Sequence, residues 1–191
     1  QEDLFRPGLF ELPLVAGKPV FLAAGLDEQR GDLEALWNAE VRRRRPTERA
    51  ASRSIHAHLK REGARFLVRE PDGSPAVIAG YPWFDAWGRD SLIALPGLTF
   101  CANRASDGLD QLFRIGETEQ DGLIPNCFGH TARHHQFNSI DASLWYVWAV
   151  QQMEALTGRT DLVRARAWPV IQRILEALRR GREPAIFVDA D

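Results

Sequence analysis

From Ala79 to Gly97 the chain reads Ala-Gly-Tyr-Pro-Trp-Phe-Asp-Ala-Trp-Gly-Arg-Asp-Ser-Leu-Ile-Ala-Leu-Pro-Gly, which sets Tyr81, Trp83 and Trp87, two carboxylates and a guanidinium just ahead of an apolar helical run. A pyranose ring offers apolar C–H faces that stack on such aromatics, and a rim of hydroxyls for which Arg89 is a donor and Asp90 an acceptor. The three aromatics alternate as on one face of an extended segment, a spacing that core packing would also use. Carbohydrate recognition is the chemistry this segment supports best.

Hydrolysis of a glycosidic bond needs one carboxylic acid to protonate the leaving oxygen and a second carboxylate to activate water or attack carbon. Three acids compete for these roles. Asp85 and Asp90 lie in the aromatic segment; Asp141 lies in Phe137-Asn138-Ser139-Ile140-Asp141-Ala142-Ser143-Leu144-Trp145, which opens a helix after a long loop. Each has a plain structural reading beside the chemical one. Asn138 or Ser139 suits a helix cap with Asp141 complementing the macrodipole, and Asp90 suits an N-cap with Arg89 as its surface partner. The dipole favours ionised Asp141, so a proton donor there requires burial or a second carboxylate to raise its pKa. Trp145, one turn further on, offers an apolar wall.

The elements that must position these residues follow from pattern. Leu9–Leu12 and Val20–Ala23 around Ala16-Gly17-Lys18-Pro19 predict a β-hairpin, and Asp27 predicts the cap of a helix bearing Leu33, Leu36 and Trp37. Pro46-Thr47 predicts the start of another helix reaching about Arg61, with the run Arg42 to Arg45 a solvated linker of no assigned function. Phe66–Arg69 and Ala76–Ala79 flank Pro71-Asp72-Gly73-Ser74, a second hairpin signal that delivers the aromatic segment to a strand-to-helix junction. Helices are expected at about 89–102, 106–115, 141–157 and 161–180, with Pro96-Gly97 kinking the first and Pro169 bending the last. The segment from Gly116 to Ile140, long for a compact domain, reads as an ordered functional loop through Ile124, Phe128 and Phe137.

With 191 residues, 45% of them hydrophobic, the chain can bury one sizeable core. Its formal charge of −2 gives no electrostatic case for nucleic acid or an anionic membrane and suits a neutral polar ligand. Neither a membrane-length apolar run nor a secretory leader is read, and Cys101 and Cys127 lack metal-ligand spacing, which together place the chain in the cytoplasm with reduced thiols. His130, His134 and His135 without a Cys pair make a weak metal signal, and with no phosphate-binding loop or nucleophile elbow no metal or cofactor is expected. The start without Met and the stop at Asp191 in a strand-like stretch read as cuts from a longer protein.

Three blocks in order carry a resemblance: Ile78-Ala79-Gly80-Tyr81-Pro82-Trp83-Phe84 with Trp87-Gly88-Arg89-Asp90-Ser91-Leu92-Ile93-Ala94-Leu95-Pro96-Gly97, then Gly122-Leu123-Ile124-Pro125-Asn126, then Asn138 to Trp145. The chain resembles the amylo-α-1,6-glucosidase domain of glycogen debranching enzymes, most strongly over about residues 65–160. The resemblance implies a mainly α fold, part of an (α/α)6 barrel with an inverting carboxylate pair at its mouth, hydrolysing α-1,6-linked glucose at branch points of glycogen or limit dextrin. It makes Asp141 the general acid, with the base outside this chain. It also makes Arg89 and Asp90 the grip on the terminal glucose, and Tyr81, Trp83, Trp87, Asn126 and Trp145 complete the candidate α-glucan contacts. Phe137 stands where such proteins often have Tyr, which removes a possible hydroxyl contact.

The expected organisation is the tail of an upstream β-rich domain over 1–26, a linker and first helices over 27–64, and the N-terminal half of the barrel over 65–191. A glucoamylase-like exo-acting hydrolase of the same barrel type and a non-catalytic glucan-binding helical module remain alternatives. The sequence leaves the oligomeric state open.

Overall fold

The aromatic segment is delivered by a short hairpin, as its turn chemistry predicts. In the computed structural model, which describes residues 8–23, 31–49, 54–70, 72–80, 84–129 and 134–181, strand β1 (Leu67–Arg69) pairs antiparallel with β2 (Pro75–Val77), Val68 opposite Ala76. The turn closes on itself: Gly73 takes a φ of +84° and donates to the Glu70 carbonyl at 2.8 Å, while Asp72 Oδ1 accepts from the Ser74 amide at 2.9 Å. An Asp side chain satisfying the backbone two residues on is what fixes such turns.

The chain divides into two units, Gln1–Ser52 and Arg53–Asp191. In the first, the hairpin expected over 9–24 is not formed among the described residues. The turn is present, with the Lys18 amide donating to the Val15 carbonyl at 3.0 Å, but no strand pairing flanks it. Pro13 and Pro19 remove a ladder donor on either side of that turn. Helix α1 (Leu33–Arg49) starts at Asp32, whose Oδ1 accepts the Glu34 amide at 2.9 Å; the expected cap, Asp27, lies outside the described residues. The helix runs on through Pro46. The run Arg42 to Arg45 is therefore helical and not a linker, since four good helix formers in a row offset the single hydrogen bond that Pro46 removes.

The second unit begins with α2 (Ile55–Gly63), capped by Ser54 Oγ accepting from the Ala57 amide at 3.3 Å, so the helix expected to start at Pro46-Thr47 starts later. After the hairpin come α3 (Gly88–Leu98), α4 (Ala105–Glu117) and α5 (Asp141–Thr157), then α6 (Thr160–Leu162), a wide π-type turn over Val163–Ala167, and α7 (Trp168–Arg180). The unit is mainly helical. Pro96 ends α3 sooner than expected: Thr99 closes the helix with its amide at 3.0 Å and hydroxyl at 2.6 Å on the Leu95 carbonyl, and a single 3₁₀ turn follows. Pro169 sits in the first turn of α7, where a missing N–H costs least, and the wide turn just before it absorbs the irregularity.

One apolar core joins these helices through Leu92 and Leu95 of α3, Leu112 of α4, Tyr146 and Met153 of α5, and Ile174 of α7, all fully buried. Among the described residues no helix is long and apolar enough to cross a membrane. Both cysteines are free thiols.

The segment between α4 and α5 is ordered by anchors at three places. Gly122, at φ +83°, lies so close to α7 that a Cβ would sit 2.1 Å from that of Ala177. Glu119, its side chain only 3% exposed, accepts the Gly122 amide at 2.6 Å and pairs with Arg173 of α7. Further along, the Ile124 amide donates to Ser143 Oγ of α5 at 2.8 Å, the Asn126 amide donates to the Gln136 carbonyl at 2.9 Å, and the Gln136 amide donates to the Cys127 carbonyl at 3.0 Å. Each backbone donor met in this way lowers the cost of holding a buried stretch in place.

Candidate functional site

Two helix N-termini and the middle of that loop meet at one cleft. Gly88 opens α3, and its amide donates to the Asn126 carbonyl at 2.9 Å. A Cβ on residue 88 would lie 2.2 Å from the Pro125 carbonyl oxygen, so only glycine permits the loop to approach the helix this closely. The approach places Arg89 beside Asn126. From the other side Asp141 opens α5, whose Ser143 holds the same loop.

Arg89 and Asp141, 52 residues apart in sequence, form an ion pair with Nη1 to Oδ2 at 2.8 Å. The Ser139 hydroxyl donates to the other carboxylate oxygen, Oδ1. Arg89, Asn126, Asp141 and the stretch Phe137–Ile140 line a cleft of about 820 Å³, within the range of sites that take small molecules. Asn126 is 5% exposed and its Oδ1 has no hydrogen-bond partner among the described residues. A buried acceptor left unmet costs about 1–3 kcal/mol, and a sugar hydroxyl is a donor that would satisfy it.

The Ser139 hydroxyl and the Arg89 guanidinium hold the Asp141 carboxyl below its ordinary range, against the opposing effect of burial. Removing either should raise it. Carboxyl NMR titration of Ser139→Ala and Arg89→Ala is expected to move the Asp141 midpoint upward in each, and an unmoved midpoint would mean that the contact is not kept in solution. Because the folded value is depressed, the stability Asp141 contributes is present above its unfolded pKa of about 3.9 and is lost as pH falls through the folded value.

Residues 61–191 match the sequence model of a family described as Amylo-alpha-1,6-glucosidase. The chain belongs to this family. A glycogen debranching enzyme of Saccharomyces cerevisiae (strain ATCC 204508 / S288c) is 32% identical to it over 82 residues, which is 40% of this chain and 5% of that enzyme. The chain thus spans a small part of that relative's length. No solved structure matches.

In this member of the amylo-α-1,6-glucosidase family the structure brings together three of the residues singled out from sequence: Arg89, Asn126 and Asp141. Arg89 is the partner of Asp141, not of Asp90. Asp90 lies in the first turn of α3, exposed, while Trp87 occupies the N-cap position and pairs its backbone with Cys127. Trp145 is half-buried, edge-on to Trp148 at 5.4 Å and packed on the core outside the cleft lining. Tyr81 and Trp83 lie outside the described residues, as does His130; their neighbour Phe84 is 57% exposed. Among the described residues no group of three His, Cys, Asp or Glu could hold a metal.

Ser139 has a role that pattern reading assigned differently. It does not cap α5, which starts after Ile140 without a side-chain cap; it donates to the Asp141 carboxylate instead. A hydroxyl two residues ahead of an acid at a helix start was the available signal, and it serves either use equally well.

Proposed function

We propose that this chain forms part of the site of an inverting glycoside hydrolase that removes α-1,6-linked glucose at branch points of an α-glucan, within an (α/α)6 barrel. The observation that carries the reading is the meeting of Arg89, Asn126 and Asp141 in the lining of one cleft, which brings together a guanidinium, a carboxylate and an amide whose buried oxygen is unmet among the described residues. These are the groups that bind sugar hydroxyls and act on a glycosidic oxygen. Family membership supplies the bond and the glucan.

In this reading Asp141 is the general acid and must be protonated when it acts, whereas Ser139 and Arg89 favour its ionised form. Arg89 leaves the carboxylate for the outer hydroxyls of the terminal glucose, and the charge of the second carboxylate then raises the Asp141 pKa. Asp90 and Trp87 contribute to glucose binding from the α3 side, Tyr81 and Trp83 are further candidate glucose contacts, and Trp145 backs the helix that presents Asp141. The base comes from outside this chain.

One observation favours a second reading. Among the described residues lining the cleft Asp141 is the single carboxylate, which also fits a module that binds glucan without cleaving it. Glucose release by the complete protein that carries this chain, assayed on a branched limit dextrin and on linear malto-oligosaccharides, separates the readings. Release from the limit dextrin alone is expected. Release from linear chains would indicate an exo-acting α-1,4 hydrolase, and none from either, with binding intact, the module.

A further inference from the structure

Beyond the Trp87–Cys127 backbone pair lies a second cleft, of about 520 Å³, sharing no residue with the first. The two paired segments pass from one cleft to the other: Arg89 and Asn126 line the first, Asp85, Ala86, Phe128 and Gly129 the second. Asp85 lies on the extended stretch before Trp87 and Arg89 in the first turn of α3, so the two side chains serve different clefts of one continuous segment.

Gln111 is the decisive residue. The buried stripe of α4 runs Gly108, Gln111, Leu112, Ile115 and Gly116, at the helical spacing that otherwise selects small or apolar side chains. Gln111 interrupts it with an amide, is 4% exposed and lines the cleft; its buried Oε1 has no partner, and its side chain no hydrogen bond, among the described residues. A core position would be better filled by Leu, which has no polar atom to leave unmet.

The rest of the lining complements that acceptor. His135 Nδ1 accepts the Gly129 amide at 3.2 Å, which leaves the ring proton on Nε2 as a donor, and burial lowers the His135 pKa, favouring this neutral form. Asp85 is exposed and unpaired among the described residues, offering two more acceptor oxygens. Ile78 and Phe128 add apolar surface. An acceptor, a neutral donor, a free carboxylate and an apolar patch suit a hydroxyl-rich ring with C–H faces.

We propose that the second cleft is a saccharide subsite, built around Gln111 and Asp85, for the part of a glucan chain that continues from a sugar held at Arg89 and Asp141. The proposal rests on the glucan reading for its ligand class, and not on catalysis. The test is calorimetric binding to the complete protein in its Asp141→Asn form, using isomaltose and a branched malto-oligosaccharide as probes. Gln111→Leu is expected to weaken the long probe about tenfold, the worth of one buried hydrogen bond, and Asp85→Ala to weaken it less; both should bind isomaltose as the parent does.

A thermal melt of Gln111→Leu separates binding from packing. If that variant melts at or above the parent temperature and binds both probes unchanged, Gln111 is a packing residue and the proposal fails. Asp85, on the surface, keeps the idea falsifiable should Gln111→Leu not fold: equal binding of both probes by Asp85→Ala would then overturn it. Absence of glucose release by the parent, with long-probe binding still dependent on Gln111, would sink the hydrolase reading and leave this one standing.

Discussion

Asp141→Asn in the complete protein is expected to lower glucose release from a branched glucan by about 10²–10⁴-fold, the usual contribution of a positioned general acid, while glucan binding stays within a few-fold. The amide keeps the shape of the side chain and still accepts from Ser139 or Arg89, so the cleft should hold its form. What it cannot do is deliver a proton to a leaving oxygen. Coupled detection of free glucose measures the first quantity and calorimetry the second. Turnover near that of the parent would reduce Asp141 to a partner for Arg89 at the start of α5.

The second large effect is expected at a residue with no chemistry of its own. Gly88→Ala puts a methyl 2.2 Å from the Pro125 carbonyl oxygen, a backbone atom that cannot swing aside, so α3 and the loop must separate. That breaks the Gly88 to Asn126 bond and carries Arg89 away from Asn126 and Asp141. Misplacement of about 1 Å is enough to cost 10²-fold in rate, and an overpacked contact costs about 1–3 kcal/mol in stability. The variant should melt lower and turn over about 10²-fold more slowly than the parent. A variant with the parent's melting temperature and activity would show that the loop does not sit where the structure places it.

Much of the second unit was legible because its signals are local. The Asp72-Gly73-Ser74 turn fixes its own backbone within a few residues, and α4 and α5 carry their apolar positions at helical spacing. The cleft was legible only in its parts. Arg89, Asn126 and Asp141 could each be singled out, but nothing in local spacing says that Arg89 turns to Asp141 rather than to its neighbour Asp90; that choice is made by the packing of α3 on α5.

The misreadings have the same origin. Pro46 looked like a helix start because a proline is a strong local signal, and the helix-forming run before it outweighed that signal. Residues 9–23 have strand-like composition, but Pro13 and Pro19 remove the donors next to the turn where pairing would begin. An amide at Gln111 on an apolar stripe is visible in the sequence, but its meaning depends on what the stripe faces, which local pattern does not contain.

The fit of Gly122 against Ala177 and the tie between Glu119 and Arg173 also bear on the order in which the site can assemble. The loop carrying Asn126 is braced from behind by α7, an element made well after it during synthesis. Contacts between distant parts of a chain carry a closure cost before they reward it, and so tend to form late. On a growing chain, α3 and α4 can pack as soon as they emerge, but the loop gains this brace only when α7 arrives. The finished cleft is accordingly among the last features this unit acquires as it folds, and substitutions on the α7 face at Arg173 or Ala177 should slow its appearance without touching the cleft itself.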